Sequence, residues 1–284
     1  MAEQSKPNLP HRAEHIGSLL RPRELRDAFK AHAAGQLDNA AYREIEDRSI
    51  IEAMRMQEKA GLATISDGEF RRGSWAFGLV KAVAGFGEAR SMFEFHDAAG
   101  NSYPFDTCYA VAKIRRSRPI AVGEFEFVRR HTDRVPKVTM PAPSFMHFFR
   151  GRACADPAVY PDIADFWTDL LRVYYEELAE LGRAGANYLQ IDEVPLAMLC
   201  DSAVRERVRQ IGEDPDALVT MYIGGVNDAL RRRIDEAAHY VPLERLALSP
   251  QCGFASTVGG NLLSIDDQWR KLELIVEVAR RVWG

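Results

Sequence analysis

The residue types able to do chemistry stand where apolar runs give way to polar residues. In LALSPQCGFAST, Leu246 to Thr257, Cys252 follows an apolar run and a proline and is followed at once by glycine. A thiol delivered to an open pocket in this way serves as a nucleophile or as one ligand of a metal. The plainer reading is a small buried hydrophobe, because free cysteine is among the most buried residue types. QIDEVP puts Asp192 and Glu193 on opposite sides of a strand end, so at most one faces the interior. That carboxylate could receive an ammonium group or a proton, and the bland alternative is a helix N-cap or a surface ion pair. SDGEFRRGSW concentrates Asp67, Glu69, Arg71, Arg72 and Trp75. It reads as a solvated loop or, at the mouth of a barrel, as a recogniser of a zwitterion. HIGS offers His15 and a Gly17-Ser18 turn whose backbone N–H groups could hold a carboxylate. His147, in SFMHFF, is open between structural and functional roles. The chain has no P-loop, no GxGxxG after a strand and no HExxH.

The elements that must carry these groups share one pattern: a short apolar run, a polar tip, then an amphipathic helix. EHIGSLL ends at Arg21-Pro22, and Pro22 suits the first turn of the helix PRELRDAFKAHAAG. A second helix, NAAYREIEDRSIIEAMRMQEKAG, stops at Gly61 and is followed by LATISDGEF, a strand that breaks at Asp67-Gly68. VPKVTMPAPSF, the long helix DIADFWTDLLRVYYEELAELGRAG, the strand NYLQIDEVPLAML and the last unit LERLALSPQCGF repeat the pattern. The closing helix follows, with Ser264 as N-cap. Between Trp75 and about His131 the pattern changes. CYAVAKIRR and IAVGEFEFVRR alternate like two strands of an antiparallel ribbon, which makes about 76–135 an excursion from the main fold. Strands alternating with helices imply a parallel sheet, and polar tips at the strand ends imply a (β/α) TIM-type barrel with its site on that face. About five of the eight βα units of such a barrel are recognisable, so a single, incomplete barrel domain over 1–284 is expected. The stretch from Asp201 to Leu246 reads as helix, starting at Asp214-Pro215, and not as strand.

The chain has 284 residues, 46% hydrophobic, enough for one large core. A net charge of −4 gives no electrostatic reason to expect nucleic acid or an anionic membrane as partner. No apolar run approaches the ~20 residues of a membrane span. The polar start MAEQSKPNLPHR and four widely spaced cysteines (Cys108, Cys154, Cys200, Cys252) fit reduced thiols in a cytoplasmic protein.

Taken together, HIGSLLRP, SDGEFRR, LQIDEVP, LSPQCGFAS and the terminal KLELIVEVARRVWG resemble the cobalamin-independent methionine synthase family, in particular members that match only its catalytic C-terminal barrel. The match runs from about Arg12 to about Asp228 and from about Leu230 to Gly284. The resemblance implies a TIM-type barrel and, at a zinc site, methyl transfer from a methylated folate or another donor to the thiol of homocysteine. It implies Cys252 as a zinc ligand, Glu69 and Asp192 on the amino-acid substrate, and Ile16, Gly17 and Ser18 as the turn that holds the substrate carboxylate. The folate-stacking tryptophan of larger synthases falls near His147. The His-x-Cys pair, the glutamate and the later histidine of the family belong between Asp228 and Leu230, where VNDAL runs straight into RRRIDEAAHYVPLERL as though a segment had been excised. Three of four zinc ligands then lack counterparts, and Cys154, Cys200 or His147 could substitute only if the chain repacked.

Two other readings stay open. One is a truncated barrel without catalysis that binds an amino-acid-like ligand or a partner chain, with exposed barrel edges that would favour pairing of copies. The other is a metal-free barrel of the uroporphyrinogen decarboxylase type, which would need pocket arginines such as Arg71 and Arg72.

Overall fold

A computed structural model describes residues 13–96, 102–223, 264–266, 268–270, 272, 273 and 276. Cys252, the strand expected to deliver it and the junction at 228–230 lie outside these residues.

The first helices are delimited as their sequences dictate. Helix α1 (Arg23–Ala33) starts after Pro22. Helix α2 (Asn39–Ala60) is capped by Asp38, whose side chain accepts the Ala41 N–H, and it ends at Gly61. The short strand β1 (Thr64–Ile65) follows, and then helix α3 (Phe77–Ala82). Strands β2 (Val83–His96) and β3 (Ser102–Arg116) form an antiparallel ribbon.

The expected second strand of the ribbon, IAVGEFEFVRR, is instead helix α4 (Val122–His131). Apolar and polar residues alternate over Gly123 to Phe127, but Val122, Phe125 and Val128 repeat every three and are all buried. Glu177, fully buried, fixes the helix start by accepting the Ala121 and Ile120 N–H groups at 2.7 and 2.9 Å. The ribbon therefore occupies 83–116, narrower than the 76–135 expected.

Strands β4 (Val135–Pro136) and β5 (Val138–Pro141) are separated by Lys137 alone. Helix α5 (Phe145–Phe148), a 3-10 turn (Gly151–Cys154) and helix α6 (Ile163–Arg183) come next. Strand β6 (Leu189–Asp192), helix α7 (Val194–Met198) and helix α8 (Ser202–Gln210) follow, and residues 215–223 are helical. β1 pairs in parallel with β4, and β5 in parallel with β6. The line 135–141 thus lies between β1 and β6, as a parallel β/α fold requires.

Two apolar clusters sit on this frame. The larger joins the ribbon and α6 through Phe93, Phe148, Phe166, Leu170 and Tyr174. The smaller packs α1 and α2 with Phe70, Phe127, Trp269 and Leu272. The ribbon is fastened over the larger cluster, where the Met92 N–H donates to the Phe149 carbonyl and the Arg207 guanidinium donates to the Met92 carbonyl. β5 is buried along its whole length, whereas every residue of β6 keeps part of its surface exposed.

Candidate functional site

One stretch of strand holds both halves of the site. Side chains alternate along a strand, so Lys137 and Thr139 point to the same side. Lys137, the one charged residue of this strand, donates from Nζ to Glu14 Oε2 at 3.1 Å and to the His15 carbonyl. The Tyr188 hydroxyl donates to the same Glu14 oxygen at 2.6 Å. These bonds anchor the chain that enters the Ile16-Gly17-Ser18 turn. Two residues on, the Thr139 hydroxyl donates to Glu69 Oε1 at 2.8 Å.

Glu69 itself stands in a strained turn after β1. Asp67 Oδ1 accepts the Glu69 N–H at 2.8 Å and Ser66 Oγ accepts the Gly68 N–H at 3.1 Å. Gly68 has φ 68° and Glu69 has φ 60°, the sole non-glycine among the described residues in the left-handed region. That conformation costs a side-chain-bearing residue about 1 kcal/mol. Arg21 holds it in place, donating from Nη2 to the Glu69 carbonyl at 2.6 Å and the Arg72 carbonyl at 2.7 Å. Gly17 makes room for it, since a Cβ there would lie 2.4 Å from Glu69 Oε1 and 2.9 Å from Thr139 Cγ2.

Arg72 is the buried cation of the cluster. It donates to Thr139 Oγ1 at 2.9 Å, to the Thr139 carbonyl at 2.8 Å and to both oxygens of Glu124, while its Nη1 stays 3.7 Å from Glu69 Oε1. Arg71 is engaged by Glu46 and Asp47. Both guanidinium groups are therefore committed to protein carboxylates, which weighs against a pocket built for a polycarboxylate.

The electrostatics suit a cationic ligand. Burial pushes Glu69 above the usual carboxylate range, opposed by the Arg72 charge and the Thr139 hydrogen bond. Asp192, at the end of β6, is pushed up to about 6, first by burial and then by the Glu69 charge, against a 2.5 Å hydrogen bond from Gln190 Nε2. Lys137 and Arg72 pull it the other way, so Asp192 belongs to the same electrostatic neighbourhood. Glu193 does not. It caps α7 by accepting the Leu196 N–H at 3.1 Å and takes the Ser144 hydroxyl at 2.7 Å.

The histidines of the sequence reading are structural. His15 is buried, and its Nε2 lies 2.9 Å from Gln57 Oε1, which also accepts the Ser66 N–H. Because that oxygen can only accept, Nε2 carries the proton. Burial and the Lys137 charge push His15 down to about 3, so it is neutral. His147 is buried against Trp167 and Tyr222, with Nδ1 2.8 Å from the Tyr222 hydroxyl, and burial pushes it down to about 4. It offers no open ring face for stacking a folate.

The structure thus gathers the Gly17 turn, Glu69 and Asp192, and leaves Glu193 outside. Lys137, Thr139, Arg21 and Glu124 escaped the sequence reading. A lysine inside the apolar run VPKVTMP was the one visible signal among them, since buried lysine is rare unless paired.

Zinc does not fit the described residues. Among them no group of three or more His, Cys, Asp or Glu could hold a metal. Cys108 is buried with its Sγ 3.4 Å from Met146 Sδ, and burial pushes its thiol up to about 12. Cys154 is also buried and pushed upward, while Cys200 is exposed and donates to the Leu196 carbonyl at 3.5 Å. Also among the described residues, no helix is long and apolar enough to cross a membrane.

No family model matches the chain. It is 26% identical to the methionine synthase of Saccharolobus solfataricus over 293 positions, covering 94% of this chain and 80% of that protein. A solved B12-independent methionine synthase from Shewanella sp. W3-18-1, in complex with selenomethionine, superposes with a TM-score of 0.63 at 15% identity over 96% of this chain and 98% of that one. The chain is similar to the cobalamin-independent methionine synthases. The solved structure fixes the mixed α/β barrel type of the fold. A second relative of this methionine synthase-like chain, the uncharacterized protein YxjH of Bacillus subtilis, is 26% identical over 96% of this chain and 95% of its own length. That alignment runs over 365 positions against the 284 residues here.

Proposed function

We propose that the chain binds a zwitterionic, sulfur-bearing amino acid of the homocysteine and methionine type, in the service of a thiol methyl transfer like that of the methionine synthases it resembles. Glu69 and Asp192 would receive the ammonium, and the Ile16-Gly17-Ser18 turn the carboxylate. The observation that carries this reading is the way Glu69 is presented. A buried carboxylate is held at φ 60°, with Oε1 fixed by Thr139 and space cleared by Gly17. Among the described residues no hydrogen bond reaches Oε2, the oxygen left for a ligand. The complex of the Shewanella protein with selenomethionine supports the same ligand class.

Calorimetry with L-homocysteine and L-methionine tests this. Glu69→Gln should weaken binding by about tenfold or more, the scale of a charge-assisted hydrogen bond. Unchanged affinity in that variant would take Glu69 out of the site.

A second reading, amino-acid binding without transfer, is favoured by the state of the substitute zinc ligands. Cys108 and Cys154 are buried, and His147 is tied to Tyr222. The 365-position alignment with YxjH supports a chain shorter by an internal segment. Zinc per chain, measured in the natural sequence and in Cys252→Ala, separates the readings. About one zinc lost with Cys252 supports transfer, and none in either supports binding alone.

A further inference from the structure

Arg72 lies closer to the amino-acid site than its hydrogen bonds suggest. Its Nη1 is 3.7 Å from Glu69 Oε1, yet its donors go elsewhere. Nε and Nη2 meet Glu124, with Nε at 3.1 and 3.2 Å from the two oxygens, and Nη1 meets Thr139 Oγ1 at 2.9 Å. A guanidinium has donors only, so Thr139 Oγ1 must accept from Arg72. Its one proton is then left for Glu69 Oε1. Hydrogen-bond direction runs from Arg72 through Thr139 to Glu69.

We propose that Glu124 is a positioning residue for amino-acid binding. By occupying the Nε–Nη2 edge of Arg72, it keeps the guanidinium from closing its 3.7 Å ion pair with Glu69 to a direct hydrogen bond and leaves that carboxylate for the ligand's ammonium. The inference rests on the assignment of Glu69 made above. Without Glu124, a buried guanidinium 3.7 Å from a carboxylate would turn toward it, because an unpaired buried charge is costly and a bidentate pair is the strong alternative. Arg72 would then compete with the ligand. The groups acting on Glu69 come from every neighbouring element: Asp67 and Arg72 on either side of it in the chain, Arg21 from the loop before α1, Thr139 and Lys137 from the central strand, Asp192 from β6, and Glu124 from α4.

The test is Glu124→Gln, read in two ways. In ligand-free protein, carbon-13 NMR of the glutamate carboxyls follows the titration of Glu69, assigned by its loss in Glu69→Gln. The expected result is a Glu69 midpoint lowered by about one unit, as a cation brought to hydrogen-bond distance would produce. Calorimetry should show methionine binding weakened by about tenfold, with the weaker binding of 4-(methylthio)butanoate, which lacks the ammonium, unchanged. A purely structural Glu124 would lower the unfolding midpoint and leave the Glu69 titration where it was; that result overturns the proposal. If Glu124→Gln does not fold, Thr139→Val serves instead. It removes the donor to Oε1 and should raise the Glu69 midpoint, and an unmoved midpoint there overturns the relay. Failure of the parent protein to bind methionine would count against the amino-acid assignment, while the titration would still decide the relay.

Discussion

A side-chain carbon on Gly17 would stand 2.4 Å from Glu69 Oε1, inside any allowed contact. The two residues come from different βα units, so the closeness joins the turn proposed to hold the ligand's carboxylate to the turn proposed to receive its ammonium. Gly17→Ala should displace Glu69 and weaken amino-acid binding by about tenfold or more, at a stability cost of about 1–3 kcal/mol typical of overpacking. Calorimetry and thermal unfolding of the same preparation check both numbers.

Relieving the Glu69 turn should have the opposite effect on stability. Glu69 adopts φ 60° and is a buried, desolvated carboxylate, and glycine at that position would suffer neither penalty. Glu69→Gly should therefore keep or raise the unfolding midpoint, by about 1 kcal/mol, while abolishing ligand binding. Urea unfolding that shows a large loss of stability would mean the side chain is mainly structural.

Acid should unfold the protein through its buried histidines. His15 and His147 have folded values of about 3 and about 4, below the 6.5 of an unfolded histidine. Between those limits the unfolded chain binds the proton and the folded one does not, so stability falls as pH drops from 6.5 toward 3. His15 alone accounts for about 5 kcal/mol of that loss over the whole range. Denaturant midpoints from pH 7 to 4 should fall, and His15→Gln should flatten the curve.

Ligand binding should also weaken toward acid, through a different group. Asp192 is pushed up to about 6, so it becomes fully ionised only above that value. Methionine affinity should rise as pH increases from 5 to 7, and Asp192→Asn should remove most of the rise. The same raised value makes the folded chain hold that proton more tightly than the unfolded one, so the Asp192 contribution to stability falls over this window. Calorimetry at several pH values separates the two effects.

Lys137 and Glu14 form a buried pair whose members should depend on one another. Lys137→Met should cost about 3–5 kcal/mol by stranding the Glu14 carboxylate, and adding Glu14→Gln should recover much of it. A double-mutant cycle in urea measures the coupling, and additive losses would mean the pair is not a unit.

The parts of the fold legible in the sequence were those where one local signal decides. Asp38 and Asp162 cap the helices they precede, and the α6 stripe from Phe166 to Leu181 could only be a buried helix face. IAVGEFEFVRR misled because alternation over five residues fits a strand, while the helix is decided by Glu177, 57 residues away from Ile120. The site divides in the same way. Glu69 and Asp192 were visible as carboxylates at strand ends, but the groups that orient them were not. Thr139 and Glu124 are unremarkable residues until the fold brings Arg72 between them. Nothing in the local sequence of α4 announces that one of its glutamates pairs with Arg72, three residues after Glu69.

The Leu20 N–H donates to Gln268 Oε1 at 2.6 Å, across 248 residues of chain. Leu20 lies two residues beyond Ser18, so this bond braces the Ile16-Gly17-Ser18 turn from a segment translated much later. During synthesis the turn emerges early, but it must wait for residue 268 before its last brace arrives. Nascent chains halted before that point should bind no amino acid, although nearly every residue that would touch it has already left the ribosome.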